Sequence, residues 1–497
     1  MSAIQASELK DKNGKVISFV DEEARKTAAE NGQKVKQLSE EMAERGVTPQ
    51  MFGAVGDGVT DDTAAFQSAV DSGCDVLIPA GHYRCSNICI TNKCRIIGVG
   101  DVKLTVPDTV NIPSYDSYTE DTLVFKIEGV GVQVENIHFN GNYTYFAELT
   151  NYDINAKFSS YGVRVKNNCE NIIIRNCKFN NFKDAGVQIT SDCVAVKVED
   201  NIFFDEGWPA AFNRGIQVIQ SSDGHMAHHV LKGNQIYNCG EHGIVVYYNN
   251  DYTSIINNYI LLCGLQSENP DGSTLFTAGA CIKSVGCSNL LISGNHCEKG
   301  AQGGIIAPGY AHNGVELITH GLNIVNNHCI GEDADDFKGD GISIGVHSEN
   351  NNISGNIIER VKVRAYQFSA AITAGKHATV TSNEIYDCDN GIRARDALIA
   401  NNRITASAPI VINSGESIVT GNKIQSAEGK EAIALHAPAN TVVSGNTIST
   451  AGFGVIVRTS ADNVQIYGNT MNAVTKAVEW RGITPTNCKV DFVDVTA

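Results

Sequence analysis

The chain has 497 residues, 42% of them hydrophobic, enough for a large core. Thirty-eight Lys and Arg against 55 Asp and Glu leave a net charge of −17, which excludes the basic footprint of a nucleic-acid binder. No apolar run approaches the length of a membrane-spanning helix, and the fifteen Cys lack paired spacing, so a disulfide framework is not expected.

The N-terminus, Met-Ser-Ala-Ile-Gln-Ala-Ser-Glu, carries no basic and apolar signal segment. Synthesis in the cytoplasm is expected, with most Cys acting as small buried apolar residues. Residues 18–46 read as a helix. Ala24, Ala28, Asn31, Val35, Leu38 and Met42 follow 4-3-4-3-4 spacing, the seam of a short coiled coil. That seam either joins subunits or packs on its own chain.

Residues 52–85 hold Phe52-Gly-Ala-Val-Gly-Asp-Gly-Val-Thr-Asp-Asp-Thr-Ala-Ala-Phe66 and Val76-Leu-Ile-Pro-Ala-Gly-His-Tyr83. Thr60 or Asp61 can cap a helix from about 62 to 72, Gly73 would end it, and Val76–Ile78 would begin a strand. Asp57, Asp61 and Asp62 are assigned to turns and capping.

From there a phrase recurs: an alternating apolar strand, then Gly-Asn or Asn-Asn, then another apolar residue. It places Asn at 234, 258, 295, 327, 356, 383, 402, 422, 446 and 469, the last five intervals being 27, 19, 20, 24 and 23 residues. Such self-similarity marks a solenoid. The Asn column is expected to stack at a turn, amide to amide. A second phrase (small, apolar, variable, apolar) interleaves thirteen times, from Gly162-Val-Arg-Val to Ala477-Val-Glu-Trp. Each coil therefore carries two or three short strands, with the apolar positions inward and the variable one outward. Thirteen coils would span roughly 60 Å.

The block at 52–85, with these repeats, resembles the pectate-lyase-like β-helix superfamily, in particular phage tailspikes and tail-associated polysaccharide depolymerases. The resemblance covers about residues 50–485. It implies an all-β chain, a right-handed parallel β-helix with a short N-terminal helical segment and a capping helix. It divides the chain into an attachment or coiled-coil segment (1–48), the capped β-helix (49–485) and a tail (486–497). It implies a homotrimer on a virion tail, active outside the cell, whose partners are a bacterial capsule, lipopolysaccharide or other polysaccharide, and other tail proteins through the N-terminus. The function expected is cleavage of that glycan by hydrolysis or elimination. A binding-only spike and a bacterial pectinase-like lyase or epimerase are the alternatives.

Extra length between strands must emerge as loops, where function concentrates. The long intervals are Gly186 to Gly215, Gly243 to Gly279, Gly304 to Gly341 and Gly341 to Ala371, of 29, 36, 37 and 30 residues. The groove is thus expected on residues 160–350. Asp205, Glu206, Glu241 and His242 precede two adjacent strands and are the catalytic candidates, since two carboxyls about 5 to 9 Å apart can hydrolyse a glycoside. Asp205 or Glu206 could instead pair with Arg214, Glu241 could cap a turn, and His242 could be a solvent-facing turn residue. Trp208, Tyr247 and Tyr248 offer apolar faces to sugar rings; Arg214, Lys283, Asp340 and His347 are further substrate-binding candidates. Lys166, Arg393 and Arg395, at outward strand positions, could grip acidic sugars. No cofactor is expected, although the acidic loop Glu332–Asp340 could take Ca²⁺. His225, His228 and His229 form His-x-x-His-His, but the open geometry of a zinc site is not otherwise suggested and no metal is expected there.

Overall fold

A computed structural model describes residues 22–494 apart from 109–121, 143–159, 191, 205–213, 220, 222–224, 265–266, 269–273, 276–278, 313–314, 332–338, 346–347, 363–368, 428, 451, 473 and 492. Helix α1 (Glu22–Arg45) falls inside the helix expected at 18–46. Its side chains from 26 to 37 are all exposed, Val35 by 69%, so Ala28, Asn31 and Val35 of the seam are not buried against the described residues. Helix α2 (Thr63–Asp71) caps the solenoid and buries Ala65, Phe66, Ala69 and Val70.

The start of α2 differs from expectation. A strand, Asp57–Asp61, runs up to it, and Asp62 is the N-cap without capping through its side chain. The Asp62 carboxylate instead accepts the Val55 and Gly56 N–H groups at 2.7 and 3.2 Å. Asp61 accepts from Thr63 N–H at 3.0 Å, and Asp57 from Val59 and Thr60 N–H at 2.8 and 2.7 Å. Three acids that could be mistaken for a catalytic cluster therefore hold turns.

The coils build three parallel sheets. In one coil the strands are Val230–Lys232, Gln235–Cys239 and Ile244–Tyr247; in the next they are Ser254–Ile256, Tyr259–Cys263 and Ala280–Val285. Each pairs in register with its equivalent, as Leu231 with Ile255, Ile236 with Ile260, and Ile244 with Ile282. The first two strands often have three residues and one inward side chain, so no alternation betrays them. The third sheet carries the small-apolar phrase and the candidate site.

Between the first two sheets lies the Asn ladder. All ten Asn positions belong to it, and Asn201 extends it by one coil. Each Nδ2 donates to the next Oδ1 at 2.9 or 3.0 Å. The residue before each ladder Asn turns left-handed: Gly233 at φ 67°, Asn257 at 54°, Asn326 at 56°, Ser382 at 57°. Gly and Asn tolerate that region best, which explains the Gly-Asn and Asn-Asn spelling. Inside, aliphatic side chains stack coil on coil with an aromatic stretch of Phe139, Phe179 and Phe203, centroids 5.0 and 4.9 Å apart. Thirteen of the fifteen Cys are buried and none is bridged; burial pushes the Cys177 thiol up to about 12.

His229 is fully buried, its Nδ1 accepting Val196 N–H at 3.3 Å. Burial, with His225 and His228 nearby, holds its pKa down at about 3 against an ordinary 6.5. Below pH 6.5 the unfolded chain takes up a proton that the folded chain refuses, so stability is lost as pH falls, at up to about 1.4 kcal/mol per unit. His229→Asn, which keeps an acceptor but no titration, should flatten this slope between pH 6.5 and 3. Parallel urea midpoints for both proteins across that range would refute the assignment.

Candidate functional site

The site grows from the turn that leads into the third sheet. By the registers Ala185 with Arg214 and Ile216 with Ile244, Asp184 and Glu241 share one row two coils apart, and Arg214 and His242 share the next row. Arg214 ion-pairs with Glu241. The His242 Nε2 lies 3.3 Å from the Glu241 Oε1, and Nδ1 accepts the Ala280 N–H at 3.0 Å. Because a backbone N–H can only donate, Nδ1 is the bare nitrogen and Nε2 bears the proton. His242 is fully enclosed, while Arg214 and Glu241 expose 16% and 19% of their side chains. The solvent-facing turn reading of His242 is therefore corrected: it stands behind Glu241 and steadies it.

The electrostatics separate the carboxyls. Burial alone would raise Glu241, but the His242 hydrogen bond and the charges of Arg214 and Lys283 outweigh it and hold the carboxyl below its usual value. Asp184 moves the other way. Burial raises its pKa against the Ser160 N–H, 2.8 Å from Oδ2, and against Lys183, Arg214 and Arg164. Burial lowers the pKa of Lys283, with the Glu241 charge acting against that shift. Burial lowers His242 as well, so it is neutral near pH 7.

Arg214, Glu241, His242, Lys283 and Tyr247 are thus brought together, with Tyr248 beside Tyr247 at a centroid distance of 5.9 Å. Arg214 takes Glu241 as its partner. Asp205, Glu206, Trp208 and His347 lie outside the described residues, as do Glu332 to Lys338 of the acidic loop. Asp340 lies three coils from His242, about 14 Å along the stack. Lys166 faces Glu128 at 3.6 Å. His225 bonds the Cys193 carbonyl and His228 stacks on Tyr252, so these histidines and His229 do not converge. Sequence reasoning missed Asp184. Its signal was present: Asp184 and Glu241 each stand two residues before the Gly of the small-apolar phrase.

Two family models match. One, described as a right handed beta helix region, covers residues 83–260; the other, described as a periplasmic copper-binding protein (NosD), covers 301–482. Among the described residues no three His, Cys, Asp or Glu stand together to hold a metal ion. The chain is 31% identical over 161 residues to the pre-neck appendage protein of Bacillus phage B103, covering 31% of this chain and 18% of that one. It is 24% identical over 205 residues to the plasmin and fibronectin-binding protein A of Streptococcus pneumoniae, covering 37% and 27%. The matches thus span less than a third of those relatives. The tailspike of E. coli bacteriophage HK620, solved with a pentasaccharide, superposes with a TM-score of 0.52 at 12% identity over 91% of this chain and 81% of that one. The coil registers and these likenesses agree: the chain is a right-handed parallel β-helix protein resembling the phage tailspikes.

Proposed function

We propose that the chain binds a bacterial surface polysaccharide along the third sheet and hydrolyses it. The observation that carries this is geometric: two carboxyls, Asp184 and Glu241, stand in one row of the third sheet two coils apart, beside Arg214 and His242; burial pushes Asp184 up, while His242, Arg214 and Lys283 hold Glu241 down against its own burial. Paired groups with divergent pKa values divide into acid and base. Asp184 donates the proton to the leaving oxygen. Glu241, ionised, activates water or attacks the anomeric carbon, and neutral His242 positions it. Two coils separate their backbones by roughly 10 Å, towards the wide spacing of inverting enzymes. Tyr247 and Tyr248 would line the sugar path, and Lys283 would meet its hydroxyls or acid groups. Asp205, Glu206 and Trp208, outside the described residues, remain candidates from the sequence.

The test is reducing-end release across capsule and lipopolysaccharide panels. A product with a new ultraviolet-absorbing double bond would replace hydrolysis by elimination. Binding without turnover would favour the second reading, a receptor-recognition spike. The Arg214–Glu241 pair supports that reading, since it engages the carboxylate before any substrate arrives.

The same proposal includes a virion-tail location, contacts with other tail proteins through the N-terminal segment, and a homotrimer joined along α1. The exposed side chains of α1 support the trimer. Light scattering of the whole chain at micromolar concentration should return three times the monomer mass; a monomer would remove the trimer.

A further inference from the structure

The outer face of the second sheet departs from the polar surface expected beside water. In one outward row, consecutive rungs carry Tyr237, Leu261, Glu298, Ile330, Glu359 and Tyr386. The row beside it carries Tyr259, His296, His328 and Ile357. Rings meet across these rungs: Tyr237 with Tyr259 at 5.8 Å between centroids, Tyr259 stacked on His296 at 4.7 Å, and His296 with His328 at 5.1 Å. Neither row carries a Lys or Arg over this stretch. Its two acids are already held within the chain, Glu298 by the His296 Nε2 at 3.3 Å and Glu359 by the His328 Nε2 at 3.0 Å. Ile357 and Tyr386 nevertheless expose 36% and 40% of their surface. Aromatic and aliphatic side chains whose few charges are satisfied in place have the composition of an interface core.

We propose that this stripe is where copies of the chain meet, the second sheet of each facing the axis of the assembly. The proposal rests on the trimer reading above and adds the face that closes it. Periodicity selects a second copy as the occupant. The stripe runs along the stack for six coils, about 24 Å at the rung spacing of a parallel sheet. A second solenoid presents its outward side chains at that same spacing, so the two sets interlock rung by rung, whereas a partner without the repeat falls out of step. Helix α1 brings the copies together at one end: the chain passes from Arg45 to Val47, which bridges Val76 of the first coil. Copies joined along α1 therefore gather their first coils. Two side chains wide, the stripe offers roughly 250 Å², short of the roughly 800 Å² per partner of a stable interface. It adds to the α1 seam and does not replace it.

The test combines light scattering with cross-linking of the whole chain. Ile418 is the control, since it lies on the outer face of the first sheet and is 46% exposed. Ile357→Cys should be joined into covalent multimers by a short bis-maleimide, and Ile418→Cys should stay at the level of the parent chain. Ile357→Asp should raise the concentration of half-assembly by about tenfold or more, because like charges then meet at the axis. Ile418→Asp should leave it within about twofold. If the parent is assembled but Ile357→Cys is joined no more than Ile418→Cys, this face is wrong and the trimer reading stands. An assembled parent whose half-assembly ignores Ile357→Asp has the same meaning. A parent that is monomeric at micromolar concentration removes both. A dimer that cross-links at position 357 removes the trimer and keeps the face.

Discussion

Replacing Asn356 by leucine should lower the stability of the solenoid by about 3–6 kcal/mol, on about 1–3 kcal/mol for each buried polar group left unpaired. The Asn356 Oδ1 accepts both the backbone N–H and the Nδ2 of Asn327, at 2.9 and 3.0 Å. Its own Nδ2 donates to the Ile324 carbonyl and the Asn383 Oδ1, each at 2.9 Å. Leucine fills the space but answers none of these groups, and Asn327, Asn356 and Asn383 are all buried. Asn352→Ala is the control: its bond to Asn323 is 3.3 Å long and exposed, so its loss should be within about 0.5 kcal/mol. Urea unfolding of the two variants beside the parent chain measures the difference. Equal midpoints for Asn356→Leu and Asn352→Ala would show that the ladder is spectator, not support.

The same ladder shows why the fold was legible in the sequence. A solenoid repeats one solution, so a left-handed residue followed by a buried Asn recurs as a readable spelling, down to Ser382 standing where Gly or Asn is usual. The third sheet was legible for a related reason: its strands hold two inward residues around one outward residue, which is a pattern. The site was less legible. Glu241 and His242 could be singled out by position, but whether His242 faced water depended on the Ala280 N–H, 38 residues onward. The partner of Arg214 was likewise decided by register, which set Glu241 in the adjacent coil beside it. Asp184 could have been found by comparing what stands two residues before each Gly. Its raised pKa could not, because burial is a property of the packed coil.

Glu241→Gln should cut turnover by at least about 10², the scale of a lost acid or base, while glycan binding falls little. The amide is isosteric and still meets His242, but it cannot take a proton or attack carbon. It also leaves Arg214 without its charged partner, so some stability should be lost, and rate alone would not separate catalysis from structure. The pH profile does. With Glu241 acting ionised and Asp184 protonated, activity should rise on the acid side as Glu241 deprotonates, below the ordinary glutamate value. It should fall on the alkaline side as Asp184 deprotonates, above the ordinary aspartate value. Asp184→Asn should abolish most turnover, and any residual activity should lose the alkaline fall, because no proton remains there to be lost. Asp205→Asn and Glu206→Gln belong in the same series. If either of them abolishes turnover while Asp184→Asn keeps the full bell, the acid is Asp205 or Glu206 and the row of Asp184 is the wrong one. If Glu241→Gln keeps full activity with an unchanged profile, the chemistry is elsewhere on the stack and the Arg214–Glu241 pair is a brace between coils.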